Sequence, residues 1–198
     1  MQPPVEKSLT QQLLNRIADG DDKARELLIS HSMARLRRLA ASMLRDLPSV
    51  RRWDDTDDVL QNALVRLNRA LLVVAPESPR RFIGLAATQI RRELVDLYRH
   101  HYGPEGHAAH HASGMKNQDS QSSSVPSFDS PDKQMSPSTQ AILHEAIDRL
   151  PEDLREVFEM TFYQGMTQEE IAGVLDVSTK TIKRRWRDAR LALQDLLS

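Results

Sequence analysis

Apolar residues recur at helical spacing over most of the chain. Leu9, Leu13, Leu14 and Ile17 predict an amphipathic helix, opened by a Ser8–Gln11 capping box and stopped by Gly20. A second helix is predicted from about Asp22 to Arg45, with Leu27, Leu28, Leu36, Leu39 and Met43 facing inward and Pro48 closing the region. A third begins near Thr56, lined on one side by Val59, Leu60, Ala63, Leu64, Leu67 and Leu71. Asp54, Asp55, Asp57 and Asp58 crowd its start, where carboxylates accept from unpaired amides and complement the helix dipole. Ser78-Pro79 suits the N-cap and first turn of a fourth helix, whose stripe is Phe82, Ile83, Ala86, Ile90, Leu94 and Leu97.

From Gly103 to Pro137 the pattern lapses. Ser, Gln, Asp, His and Pro dominate, and such a segment buries too little apolar surface to offset its ordering entropy. Periodicity resumes at Ser138 with Ile142, Leu143, Ala146 and Ile147. Pro151 then opens a helix holding Leu154, Val157, Phe158 and Phe162, and Gly165 ends it. No strand-like alternation competes. The expectation is an all-α protein: two small helical domains, 1–102 and 138–198, joined by a flexible linker at 103–137.

The last segment is the most informative. Thr167 and Glu170 make a capping box before a short helix with Ile171, Ala172 and Leu175 inward. Asp176-Val177-Ser178 reads as a tight turn. Ser178 caps a further helix on which Ile182, Trp186, Ala189 and Leu193 are spaced for burial. A short helix, a turn and a second helix, with small Ala172 permitting a close crossing, predict a helix-turn-helix. The outward face of the second helix is Thr179, Lys180, Lys183, Arg184 and Arg187, which suits phosphate and major-groove contact. A merely solvated basic face is the plainer alternative.

Composition adds limits. The 198 residues include no cysteine, which removes disulfides and thiolate metal sites. No apolar run is long enough for a membrane span, and the N-terminus does not read as a signal peptide, so a cytoplasmic protein is expected. The net charge of −1 hides strong segregation. Glu145 to Asp176 carries nine acidic residues against two arginines, whereas Ser178 to Arg190 carries six basic residues against one acid. Arg80 to Tyr102 is a second basic stretch, with five arginines against Glu93 and Asp96. Nucleic-acid contact is thus expected on particular helices rather than over the whole surface. The fourth helix carries Arg91, Arg92 and Arg99 as a basic stripe, and Tyr98 and Tyr102 could stack on unpaired bases; Tyr98 is equally suited to the core. His100, His101, His107, His110 and His111 and the four aspartates have the chemistry of metal ligands, but no fixed geometry accompanies them, so neither metal nor cofactor is expected. Trp53 and Trp186 read as packing residues.

The stretch from Leu150 to Leu197 resembles the C-terminal domain of bacterial sigma factors of the extracytoplasmic-function group. Asp57 to Leu67 ("DDVLQNALVRL") is similar to that family's polymerase-binding helix, and Arg80 to Arg99 ("RRFIGLAATQIRRELVDLYR") to its helix for the minus-ten element. Asn62 stands where the family usually has Glu, Leu64 where it has an aromatic, and Phe82-Ile83-Gly84-Leu85 where a Trp is common. The resemblance implies a sigma-type initiation factor whose partners are core RNA polymerase and promoter DNA, with an anti-sigma protein as a further candidate. It implies polymerase contact through Asp58, Gln61, Asn62 and Arg66 and minus-ten contact through Arg91, Arg92, Tyr98 and Arg99. It assigns the minus-thirty-five element to Thr179, Lys180, Lys183, Arg184 and Arg187. The alternatives are a free-standing helix-turn-helix regulator, which predicts a dimer on a palindrome, and an enzyme such as a recombinase. The latter lacks a nucleophile with an adjacent base, so no catalytic residue is expected.

Overall fold

A computed structural model describes residues 9–45, 47–102 and 137–197. The Ser8 cap, all of the segment expected to be a linker except Pro137, and His107, His110 and His111 lie outside the described residues. Among the described residues the regular structure is entirely helical: α1 (Leu9–Ala18), α2 (Asp22–Arg45), α3 (Pro48–Arg51), α4 (Thr56–Val73), α5 (Pro79–Tyr102), α6 (Pro137–Arg149), α7 (Glu152–Phe162), α8 (Gln168–Leu175) and α9 (Thr179–Leu197). The all-α expectation holds. The short α3 was not expected; its four residues carry no periodicity, and Pro48 opens it rather than ending a region.

The chain forms two compact units, one from 1–41 and 54–93, the other from 42–53 and 94–198. In the first, Leu14, Leu28, Leu36, Val59, Leu67, Phe82 and Ile90 are buried, so α1, α2, α4 and α5 each contribute the apolar stripe that their spacing gives. Leu27 corrects that list: it is half exposed, one residue off the stripe that buries Ala24 and Leu28. Gly20 takes a positive φ of 86° after α1, a conformation that a Cβ would strain. Asp55 caps α4 by accepting from the Asp57 and Asp58 amides, and Asp58 accepts in return from the Asp55 amide. The aspartate cluster is therefore a helix start. Ser78 likewise accepts from the Arg81 amide at the head of α5.

In the second unit, α9 packs on α6, α7 and α8. Val157, Met160, Ile171, Ala172, Leu175 and Ile182 form its buried cluster, with Met166, Val177 and Trp186 closing it. Trp186 stacks on Phe158 at 5.5 Å, so it is a packing residue as the sequence indicates. Ile142, expected inward, is half exposed, while Leu143, Ala146 and Ile147 are buried. His144 is buried too and shares a 3.0 Å hydrogen bond with the Tyr163 hydroxyl.

Candidate nucleic-acid interface

Helix α8 starts on the Thr167–Glu170 capping box in full. Thr167 Oγ1 accepts from the Glu170 amide at 3.2 Å, and Glu170 Oε2 accepts from the Thr167 amide at 2.8 Å. Those donors, the backbone amide first and the Thr167 hydroxyl second, hold the Glu170 carboxyl below its ordinary pKa. At the other end Asp176 adopts the left-handed region (φ 52°, ψ 46°), and the Val177 amide reaches back to the Ala172 carbonyl at 3.1 Å. Ser178 then caps α9, its hydroxyl accepting from the Thr181 amide at 3.1 Å. A hydrogen-bonded turn thereby joins α8 to α9, and the first residues of α9 are exposed.

Thr179, Lys180, Lys183, Arg184 and Arg187 are all exposed on α9. At about 100° per residue they span roughly 140° of arc, away from buried Ile182, Ala189 and Leu193. Arg187 is partly engaged, donating to its neighbour Asp188 at 2.9 Å. Arg185, on the other flank, faces the helix bundle instead: its Nε lies 3.3 Å from an Asp153 oxygen, close enough for attraction but out of line for a hydrogen bond. Charge on α9 is therefore sorted, with one flank committed to packing and the other presented to solvent.

On α5 the expected stripe divides. Arg92 and Arg99 are exposed, but Arg91 is wholly buried, with Nη2 donating to Thr88 Oγ1 at 3.2 Å. A helix turns about 100° per residue, so adjacent arginines need not share a face. Arg91 in this position cannot meet a phosphate. Arg99 pairs with Glu145 at 2.7 Å. Tyr98 is partly buried and stacks on Tyr102 at 5.4 Å, while His100 and His101 belong to the last turn of α5.

Along α4, Asp58, Gln61 and Asn62 are exposed. Arg66 is turned toward α5, where its Nε donates to Glu93 Oε2 at 2.9 Å, and the Glu93 side chain is only 8% exposed. Arg37 grips Asp57 through Nε and Nη2, each donating to one carboxylate oxygen at 2.7 Å. That hydrogen-bonded contact lowers the Asp57 pKa and raises that of Arg37. Sequence reasoning missed Val65 and Leu72 on the same helix, both at least half exposed. Their signal was present: apolar residues seven apart, off the buried stripe. The hollow beneath α4, lined by Leu60, Leu64, Leu67 and Ile90 among others, measures about 10 Å³, room for about one water.

Among the described residues no three His, Asp or Glu side chains gather as metal ligands would. No described helix is long and apolar enough to cross a membrane.

Comparison with known proteins shows the family. A curated relative, RNA polymerase sigma-H factor of Pseudomonas aeruginosa, is 26% identical over 194 residues, covering 94% of this chain and 93% of that protein. The ECF RNA polymerase sigma-E factor of Escherichia coli strain K12 is 27% identical over 198 residues, covering 96% of each. A solved structure of CnrH in complex with the cytosolic domain of CnrY covers 96% of this chain and 97% of that one at 24% identity, with a TM-score of 0.39. The sequence profile of the ECF sigma factor family matches residues 7–198. The chain belongs to that family, the sigma-type transcription initiation factors that bind core RNA polymerase and promoter DNA.

Proposed function

We propose that this factor reads the upstream promoter element through the helix-turn-helix of α8 and α9. Thr179, Lys180, Lys183, Arg184 and Arg187 enter the major groove or meet its phosphates. The carrying observation is the exposure of all five on one flank of a helix whose other flank is committed to packing. Arg92, Arg99 and Tyr98 on α5 contact the downstream element; Arg91 is left out because it is buried. Exchange of the Glu145 pair for a phosphate is within reach for Arg99, since both partners are part-exposed and such pairs are weak.

Core polymerase docks on α4. Asp58, Gln61 and Asn62 form the polar rim around an apolar contact made by Val65 and Leu72, an arrangement usual for protein interfaces. The factor works by binding rather than by catalysis, in the cytoplasm where polymerase and promoter are. The segment at 103–137 tethers the two DNA-reading parts, so that engagement of one raises the local concentration of the other.

Co-purification with bacterial core RNA polymerase, followed by run-off transcription on a promoter library, tests the reading. Tight association and selection of asymmetric, two-part promoters are expected. Binding as a dimer to a palindrome without polymerase would favour a free-standing regulator instead.

A further inference from the structure

A group of aromatic side chains lies where α3 meets the end of α5, apart from the α9 reading face. Trp53 is 51% exposed, a large apolar area left in water. The ring is nevertheless held. His101 stacks on it at 5.7 Å with the planes 19° apart. The Trp53 Nε1–H points to the Tyr102 hydroxyl at 3.4 Å, and that hydroxyl donates to the Ser49 carbonyl at 3.3 Å. Tyr98 in turn stacks on Tyr102, 5.4 Å between ring centres. An indole fixed by a stack and a hydrogen-bond relay has little ordering entropy left to lose on binding. Arg51 and Arg52, the residues just before it, are both exposed.

We propose that Trp53, backed by His101 and positioned by Tyr102, is a stacking platform for an unpaired base of single-stranded DNA, with Arg51 and Arg52 meeting the adjacent phosphates. The inference rests on the promoter-reading function above and adds a site to it. Every nucleobase has a π-face, so an exposed, rigid aromatic ring accepts one without needing a particular sequence, and neighbouring cations track the backbone. Packing alone would bury the indole. A protein partner is the competing occupant, but the arginines beside an immobilised ring fit the alternation of base and phosphate along a strand.

The test uses holoenzyme assembled from the full chain and core polymerase, on promoter DNA with a pre-opened bubble. The fluorescent adenine analogue aminopurine is placed at successive unpaired positions. Quenching at one or two adjacent positions is expected with the wild-type chain, with most of it retained in Trp53→Phe. Trp53→Ala should restore the signal several-fold and weaken bubble binding roughly tenfold. Identical quenching in wild type and Trp53→Ala would overturn the platform. So would loss of core polymerase association by Trp53→Ala in a pull-down without DNA, since the ring would then be a protein contact. If the wild-type holoenzyme selects no start site on intact promoters, the initiation reading itself fails, and the platform with it.

Discussion

Asp176 occupies the left-handed region at the end of α8, a conformation in which a Cβ normally costs energy. Its carboxylate also sits at the negative end of that helix. Replacement by Gly relieves both effects, so Asp176→Gly should raise stability by about 0.5–1 kcal/mol, whereas Asp176→Val should lower it by about 1–2 kcal/mol. Urea unfolding followed by Trp186 fluorescence measures both. Glu170 gives a pH signature. Its folded pKa lies below the unfolded value, so its contribution is complete above the ordinary carboxylate range and is lost as pH falls through the folded pKa. Glu170→Gln should therefore weaken the fold at neutral pH and flatten the loss of stability below about pH 4. An unchanged slope would mean that the capping carboxylate adds nothing. These caps were legible because each depends on a local pair, Thr167 with Glu170 or Ser178 with Thr181. The fate of Arg91 was not legible: it donates to Thr88 on its own helix, and its complete burial depends on how α5 packs, which the residue pattern alone does not give. Arg66 shows the same limit: the sequence offers it to polymerase, while its Nε donates to buried Glu93. Arg66→Ala leaves that carboxylate short of a partner and should cost about 1–3 kcal/mol of stability. Any loss of polymerase binding in this variant has to be read against its melting curve.

Helices are where the pattern was most readable. The bounds of α2 and the start of α4 fall where periodicity and caps put them, since each element declares itself through its own apolar stripe. Errors came at the stripe's edges. Leu27 and Ile142 adjoin true core positions, and composition alone cannot tell the last inward residue from the first outward one. Val65 and Leu72 are a different case: they lie on the face of α4 opposite its buried stripe, and their exposure makes that helix a better candidate for docking than its polar residues alone. Leu72→Ser should leave the melting temperature nearly unchanged, because the side chain is 60% exposed, yet reduce capture of core polymerase in a pull-down. Capture at the wild-type level would move the interface elsewhere. On α9 the sorted charge leads to a salt experiment. Each phosphate contact removed lowers the slope of log affinity against log salt by about 0.9. Lys183→Ala and Arg184→Ala should flatten that slope and weaken upstream-element binding, while Arg185→Ala, on the packing flank, should act mainly on stability.

In the proposed function two separate surfaces of the chain read two separate stretches of one promoter. Single substitutions cannot establish this, because any loss of positive charge weakens DNA binding somewhat. Non-additivity can, since residues in contact couple and residues far apart do not. Lys183→Ala with Arg184→Ala is therefore to be combined with a promoter whose upstream element is scrambled. If α9 reads that element, the protein and DNA changes remove the same interaction, and together they should cost little more than either alone. Arg92→Ala, assigned to the downstream element, should add its full effect to the upstream scramble, and should become redundant only when the downstream element is changed. Start-site selection in run-off transcription, at one fixed salt concentration, gives the free energies for both cycles. Full additivity between the α9 change and the upstream scramble would break the link between that face and that element, even with the family unchanged. Coupling of Arg92 to the upstream element would reverse the assignment, placing α5 rather than α9 at the distal site.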